Sequence, residues 1–152
     1  MSSTLHTTVL IGKRKKLQAQ ILRWLCWLLF ISYLVSLALP ACYLPAVGGG
    51  SSGISGHVAY GFEMLVLSLP FALLTVGWWA NPLWMMGMYF LAQGHCRRAF
   101  LFGLLALIMA GAIFVFGITP PDQFQMSQFY AGFYLWFACH AGLVAVAGLC
   151  LE

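Results

Sequence analysis

The stretch KRKKLQAQILRWLCWLLFISYLVSLALP, residues 13–40, decides the fold class. A basic run is followed by a mostly apolar segment, about 17–39, which Pro40 closes. A helix needs about 20 apolar residues to cross a bilayer, so this segment predicts a first transmembrane helix. Cytoplasmic loops carry an excess of Lys and Arg, so we expect residues 1–16 to form a cytoplasmic basic tail.

The composition of the whole chain gives the same class. Of its 152 residues, 62% are hydrophobic and only 7% are charged, and the mean hydropathy is +0.93. A soluble domain carries about 25% charged residues, so we expect an integral membrane protein with room for about four to five spans. The net charge of +4 lies beside apolar segments, which indicates contact with the lipid bilayer and not with nucleic acid.

Three more spans follow from the hydropathy pattern, at about 57–79, 99–118 and 128–150. The second is expected to kink at Pro70. Asn81-Pro82 then interrupts the apolar region, because a residue before proline disfavours helical geometry. Residues 82–94 would be only about 18 Å long, too short to cross. We therefore predict a short interfacial or re-entrant helix there, with aromatic anchors at headgroup depth at Trp78, Trp79, Trp84 and Tyr89.

Basic residues set the predicted orientation. An even number of crossings between the two basic clusters places all of them on one side, which favours four spans over five. The topology-setting residues are Lys13, Arg14, Lys15, Lys16, Arg97 and Arg98. The prediction is an all-α, four-helix membrane bundle forming a single domain, 1–152. It lies in a bacterial inner membrane, with both termini cytoplasmic.

The region between the first two spans offers an alternative. Leu39-Pro40-Ala41-Cys42 resembles a bacterial lipobox, so residues 1–41 could be removed by processing. Residues 40–56 carry five glycines and no charge, which predicts a loop on the non-cytoplasmic side. The five cysteines show no CxxC or CxxH spacing, so we expect neither a disulfide framework nor a zinc site.

Small residues at regular spacing predict a packing seam between the last two spans. Two series repeat every seven residues, a spacing that keeps one seam facing a neighbouring helix. Chance is an equally good explanation, because alanine and glycine are common in membrane helices. The two series are Gly103, Ala110 and Gly117, and Ala131, Ala138 and Ala145.

Glu63 is the most informative single residue, because the chain has only three acidic residues and this one follows the start of a predicted span. A carboxylate within a span normally faces a cavity or a partner. Tyr60 lies at i,i−3 and could hydrogen-bond it, and His140 could meet it across the bundle. The hypothesis is a proton-linked or partner-binding group. The alternative is that Glu63 is an interfacial charge suited to the helix dipole.

No catalytic motif accompanies these residues. Metal hydrolysis needs His and carboxylate ligands at fixed spacing, and serine chemistry needs a signature such as GxSxG. We therefore expect no metal and no cofactor, and a membrane-embedded enzyme is the weakest of three hypotheses. An oligomeric channel or transporter component is the second, suggested faintly by Pro70 and Asn81-Pro82.

The favoured hypothesis is binding to a membrane-inserted partner, as a subunit of a membrane complex. Four predicted spans with almost no soluble mass also resemble, in architecture, the bacterial immunity proteins that block pore-forming toxins. That resemblance implies an inhibitor of an inserted toxin. Glu63, Tyr60 and His140 are the expected contact residues, and either a foreign membrane protein or a homo-oligomer is the expected partner.

Overall fold

The computed structural model describes residues 2–44, 56–67, 69, 76–116 and 129–151. These form five helices and one two-stranded sheet. The helices are α1 (Ser2–Ala38), α2 (Gly61–Leu67), α3 (Ala80–Ala92), α4 (Cys96–Phe116) and α5 (Ala131–Leu149). The strands are β1 (Pro40–Leu44) and β2 (His57–Tyr60), and a 3₁₀ turn, Val76–Trp79, precedes α3.

Three of these helices contain segments that are long and apolar enough to cross a membrane: Leu17–Ala38, Cys96–Ile113 and Ala131–Leu149. They fall on the first, third and fourth predicted spans. The chain is therefore a mostly helical protein of membrane type. The basic tail predicted for 1–16 is not a separate segment, because α1 is continuous from Ser2.

The predicted second span does not begin as a helix. His57–Tyr60 form β2, which pairs antiparallel with β1, and only Gly61–Leu67 are helical after it. The predicted loop 40–56 is also not entirely irregular, because Pro40–Leu44 form β1. Pro70, the predicted kink, lies outside the described residues. A fourth helical span therefore stays a prediction.

Helix α3 corrects the interpretation of Asn81-Pro82. Both residues lie in the first turn of α3, where proline is tolerated because its missing N–H has no intrahelical partner there. The dipeptide thus marks a helix start and not a break after a span. Helix α3 also packs against α4 and reaches α5, and Trp84 and Leu91 are 1% exposed, so the helix lies within the bundle. Met85 and Tyr89 on the other face of α3 are exposed, so an interfacial or re-entrant position in the membrane stays a prediction.

A glycine turn joins α3 to α4. Gly94 has φ +76°, a left-handed conformation that favours glycine. The N–H of Gly94 donates to the Leu91 carbonyl at 3.0 Å, and the N–H of His95 donates to the Phe90 carbonyl at 2.8 Å. This Schellman motif ends α3 and returns the chain antiparallel along α4.

The bundle has two distinct ends. At the hairpin end, the β1–β2 hairpin lies over the start of α5, where the N–H of Tyr130 donates to the Ala41 carbonyl at 2.8 Å. The basic end contains the α3–α4 turn and residues Cys96, Arg97 and Arg98. A disulfide joins Cys96 to Cys150 there, with Cα atoms 5.7 Å apart, contrary to our expectation for the cysteines.

The predicted small-residue seam is half right. Gly103 and Ala110 of α4 are buried against neighbouring helices, whereas Gly117 lies outside the described residues. On α5, however, the alanine series is exposed, and α5 packs through a different face that includes Cys139, His140 and Leu143. The predicted seam on α5 is wrong because Ala131, Ala138 and Ala145 lie on the exposed face of the helix, whereas Gly132 and Ala147 are among its buried residues.

Candidate functional site

A cluster of polar side chains lies inside the bundle and centres on Asn81, the only asparagine of the chain. The Tyr33 hydroxyl and the Trp136 indole N–H both donate to Asn81 Oδ1, each at 2.8 Å. An indole nitrogen can only donate, so the atom facing it must be the amide oxygen. Asn81 thereby ties α1, α3 and α5 together.

Two further bonds extend the cluster. Ser36 Oγ donates to the Tyr33 carbonyl at 2.6 Å, and Trp84 Nε1 donates to the Cys139 carbonyl at 3.0 Å. The Tyr33 and Trp84 rings stack with centroids 4.4 Å apart. Paired polar groups of this kind hold membrane helices together, because few alternative partners exist for them in lipid.

His140 belongs to this same interior. It is fully buried, with Nδ1 2.8 Å from the Trp136 carbonyl oxygen and Nε2 3.3 Å from that of Ala80. A neutral imidazole has one N–H and can donate to only one of these carbonyls. The tautomer with hydrogen on Nδ1 bonds the preceding turn of α5, whereas the tautomer with hydrogen on Nε2 links α5 to the start of α3.

Glu63 occupies a different place. Its Oε2 accepts a hydrogen bond from the backbone N–H of Tyr60 at 2.9 Å, just before α2 begins. This is one half of a capping box, in which a carboxylate at the third helical position accepts from the backbone N–H of the N-cap residue, here Tyr60. The predicted bond from the Tyr60 hydroxyl is replaced by this backbone bond, and the Tyr60 side chain is 42% exposed.

The three residues predicted to form one site thus have separate roles. The hydrogen bond of Glu63 lies at the helix start next to β2, while the ring nitrogens of His140 face two carbonyls inside the bundle, one on α5 and one on α3. The sequence-based hypothesis did not include Tyr33, Asn81 or Trp136. A signal was present, since an amide within a long apolar region normally has an internal partner. The prediction from sequence uses Asn81 only as the residue before Pro82, where it expects a break in the helix.

The predicted aromatic anchors divide between the core and the surface. Trp84 is 1% exposed and hydrogen-bonded within the bundle, so its assignment as a headgroup anchor is wrong. Trp79 is 43% exposed and Trp78 is half-buried. For these two residues and for the exposed Tyr89, the anchoring role stays a prediction.

A cavity of about 80 Å³ adjoins the Asn81 cluster at the hairpin end. It lies between the end of α1, the strand β1, α2, the 3₁₀ turn and the start of α5. Most of its lining is apolar, and its polar side chains are Ser36, Asn81 and the indoles of Trp78 and Trp136. The Cys42 thiol also lines it and contacts Met64 Sδ at 3.5 Å.

A second candidate surface is the outer face of α1. Only 11% of Leu17–Ala38 is buried within the protein, against 39% of Ala131–Leu149. Trp24 and Trp27 on this face are 69% and 60% exposed, and Arg23 beside them is exposed. These side chains border a shallow depression on the basic half of α1.

The surroundings of Arg23 contain no counter-charge in the part of the chain that the structure describes. Glu63 is the only described acidic residue, and it lies at the hairpin end. Within the same described ranges, no three His, Cys, Asp or Glu side chains come together as metal ligands.

No protein-family model, no curated protein and no solved structure matches this chain.

Proposed function

We propose that this protein acts by binding a membrane-inserted partner chain, and that the partner helix lies on the outer face of α1. The partner would make this protein either a subunit of a membrane complex or an inhibitor of an inserted toxin. The observation that carries the proposal is Arg23, an exposed cation within an apolar helix that has no acidic neighbour among the described residues.

The position of Arg23 supports a protein partner. Arg23 lies six residues into Leu17–Ala38, about 9 Å along the helix from its start. At this depth the long side chain can extend toward the lipid headgroups but reaches them only in part. Ionisable residues inside spans are usually paired. A carboxylate on a neighbouring helix, at the same depth from the basic end, would supply that pairing.

The side chains around Arg23 support the same surface. Trp24 and Trp27 expose large aromatic area next to it. Tryptophan and arginine are the residues most enriched at the energetic centres of interfaces. We therefore expect a partner helix with one Asp or Glu near the basic end and apolar residues beyond it. Glu63, which caps its own helix, is no longer the proposed contact.

The test is affinity purification of the tagged full chain in mild detergent, followed by mass spectrometry and native mass. We expect a stoichiometric foreign chain whose predicted span carries an acidic residue. Arg23→Gln should lower its recovery at least about fivefold, since a charge pair of about 1 kcal/mol is lost. Arg97→Gln is the matched control, because Arg97 is also exposed but lies on α4.

Capture alone would not establish the interface. Arg23→Glu should abolish binding, and exchanging the partner's acidic residue for Arg should restore it. Equal recovery with wild type, Arg23→Gln and Arg97→Gln would refute the α1 interface. A homo-oligomer would point instead to a second copy of this chain as the partner. If Glu152→Gln, a substitution of the acidic residue that follows α5 in the sequence, dissociates that oligomer, Arg23 pairs with a second copy. This outcome would favour the channel or transporter hypothesis, which a measurement of flux across liposomes would then test.

A further inference from the structure

The cavity at the hairpin end has an excess of hydrogen-bond donors. The indole N–H of Trp136 donates to Asn81 Oδ1, and the Ser36 hydroxyl donates to the Tyr33 carbonyl. Trp78 Nε1 is buried, yet it has no acceptor among the described residues. Asn81 Nδ2 carries two hydrogens and makes one long bond, 3.4 Å, to the Trp78 carbonyl.

A buried N–H without an acceptor is destabilising, so native structures rarely leave one unsatisfied. Among the described residues that line the cavity, none is Asp, Glu, Lys, Arg or His. A charged ligand would lose its hydration there without gaining a counter-charge. The missing group is therefore a neutral acceptor, and the surrounding apolar lining requires that the rest of the ligand be apolar.

We infer that this cavity binds a neutral, membrane-soluble molecule that places a carbonyl oxygen on Trp78 Nε1, with Asn81 Nδ2 as the second donor. The cavity volume of about 80 Å³ exceeds the roughly 15 Å³ that one water needs, so a group larger than one water fits. Two sources carry this chemistry: the acyl ester of a bilayer lipid and the ring carbonyl of a quinone. The inference is independent of the proposed α1 interface, because the two surfaces lie on different parts of the bundle.

The experiment places the full chain, with ¹⁵N-labelled tryptophan, in nanodiscs of ether-linked phospholipid, which contain no ester carbonyl. The indole signal of Trp78 is assigned with Trp78→Phe, or with Trp78→Tyr should the first variant not fold. One arm adds a short-chain benzoquinone in increasing amounts. The other arm replaces the ether lipid with the ester-linked lipid that has the same head group and chains.

We expect the Trp78 indole signal to shift in one arm, saturably for the quinone or completely for the ester lipid. In the quinone arm, the signal of Trp24, an exposed residue on α1, should not shift saturably. If the quinone is the ligand, Trp78→Phe should weaken its binding about tenfold, the loss expected for one hydrogen bond in apolar surroundings. Trp79→Phe is the matched control and should bind as wild type does, because Trp79 is 43% exposed and is not among the residues that line the cavity.

The two arms identify the source of the carbonyl. A shift with quinone alone identifies a quinone, and a shift with ester lipid alone identifies a lipid acyl group. An unchanged Trp78 signal in all three preparations would overturn the inference, because the N–H would then be satisfied by water or by this chain's own backbone. This result would leave the partner captured through Arg23 unaffected, so the two proposals can fail separately.

Discussion

Replacing Asn81 with leucine removes the acceptor at the centre of the bundle while keeping a similar side-chain volume. Two donors lose their partner, the Tyr33 hydroxyl and the Trp136 indole N–H, each of which lies 2.8 Å from Asn81 Oδ1. Tyr33 is 1% exposed, so water cannot reach its hydroxyl in place of the amide. Trp136 is only partly buried and loses less.

The magnitude follows from these two environments. A buried donor without a partner costs about 1–3 kcal/mol, whereas polar bonds between membrane helices average about 0.6 kcal/mol. Assigning about 1.5 kcal/mol to Tyr33 and about 0.5 kcal/mol to Trp136 predicts that Asn81→Leu lowers the free energy of unfolding by about 2 kcal/mol.

The assay is reversible unfolding of the purified protein in mixed micelles, followed by far-UV circular dichroism. Gln93→Leu is the control, because Gln93 is an exposed amide at the end of the same helix. The decisive measurement repeats Asn81→Leu in a Tyr33→Phe background, where the hydroxyl is already absent. There the substitution should cost about 1.5 kcal/mol less, because only the Trp136 indole still loses its acceptor. An equal cost in both backgrounds would refute the Tyr33–Asn81 coupling.

Two further predictions concern the hairpin end and the thiols. Gly132→Ala should destabilise the protein by about 1–3 kcal/mol, because the added Cβ would lie 2.6 Å from the Pro40 carbonyl oxygen, a backbone atom that cannot rotate away. The control is Gly111→Ala, whose Cβ meets nothing within 4 Å and which should be neutral or slightly stabilising in thermal unfolding. Equal effects of the two substitutions would contradict the close approach at Gly132. Burial raises the pKa of the Cys42 thiol from 9.0 to about 11. The neutral buried thiol therefore makes its full contribution to the free energy of unfolding below pH 9, and that contribution is lost as the pH rises toward 11. Maleimide labelling read by mass spectrometry should leave Cys42 unmodified at pH 7.5 in the folded protein and label Cys96 and Cys150 only after reduction, whereas rapid labelling of all three without reductant would contradict the structure.

The Cys96–Cys150 disulfide also bears on the predicted orientation. It lies beside Arg97 and Arg98, which the positive-inside rule places in the cytoplasm. Cytoplasmic thiols are usually kept reduced. The disulfide and the charge rule therefore favour opposite sides for the basic end, and labelling of Cys96 and Cys150 in intact cells would discriminate between them.

Membrane class, the three helices that could cross and the basic end all followed from the sequence, because length, hydropathy and charge act on each segment separately. Segment length and proline position also located α3 to within two residues, although its first turn was interpreted as a break. The burial of α3 in the bundle depends on contacts of Trp84 with Tyr33 and Cys139, and these three residues are far apart in the chain.

The sequence by itself determined what each segment could bury, since an apolar run must lie in lipid or protein whatever its neighbours are. Only the tertiary structure decided which polar groups meet: Glu63 bonds its own helix start, the ring of His140 lies between carbonyls of α5 and α3, and Asn81 accepts from two helices at once. Hydrogen bonds depend on distances of about 3 Å between residues as many as 60 positions apart, and hydropathy carries no information at that scale.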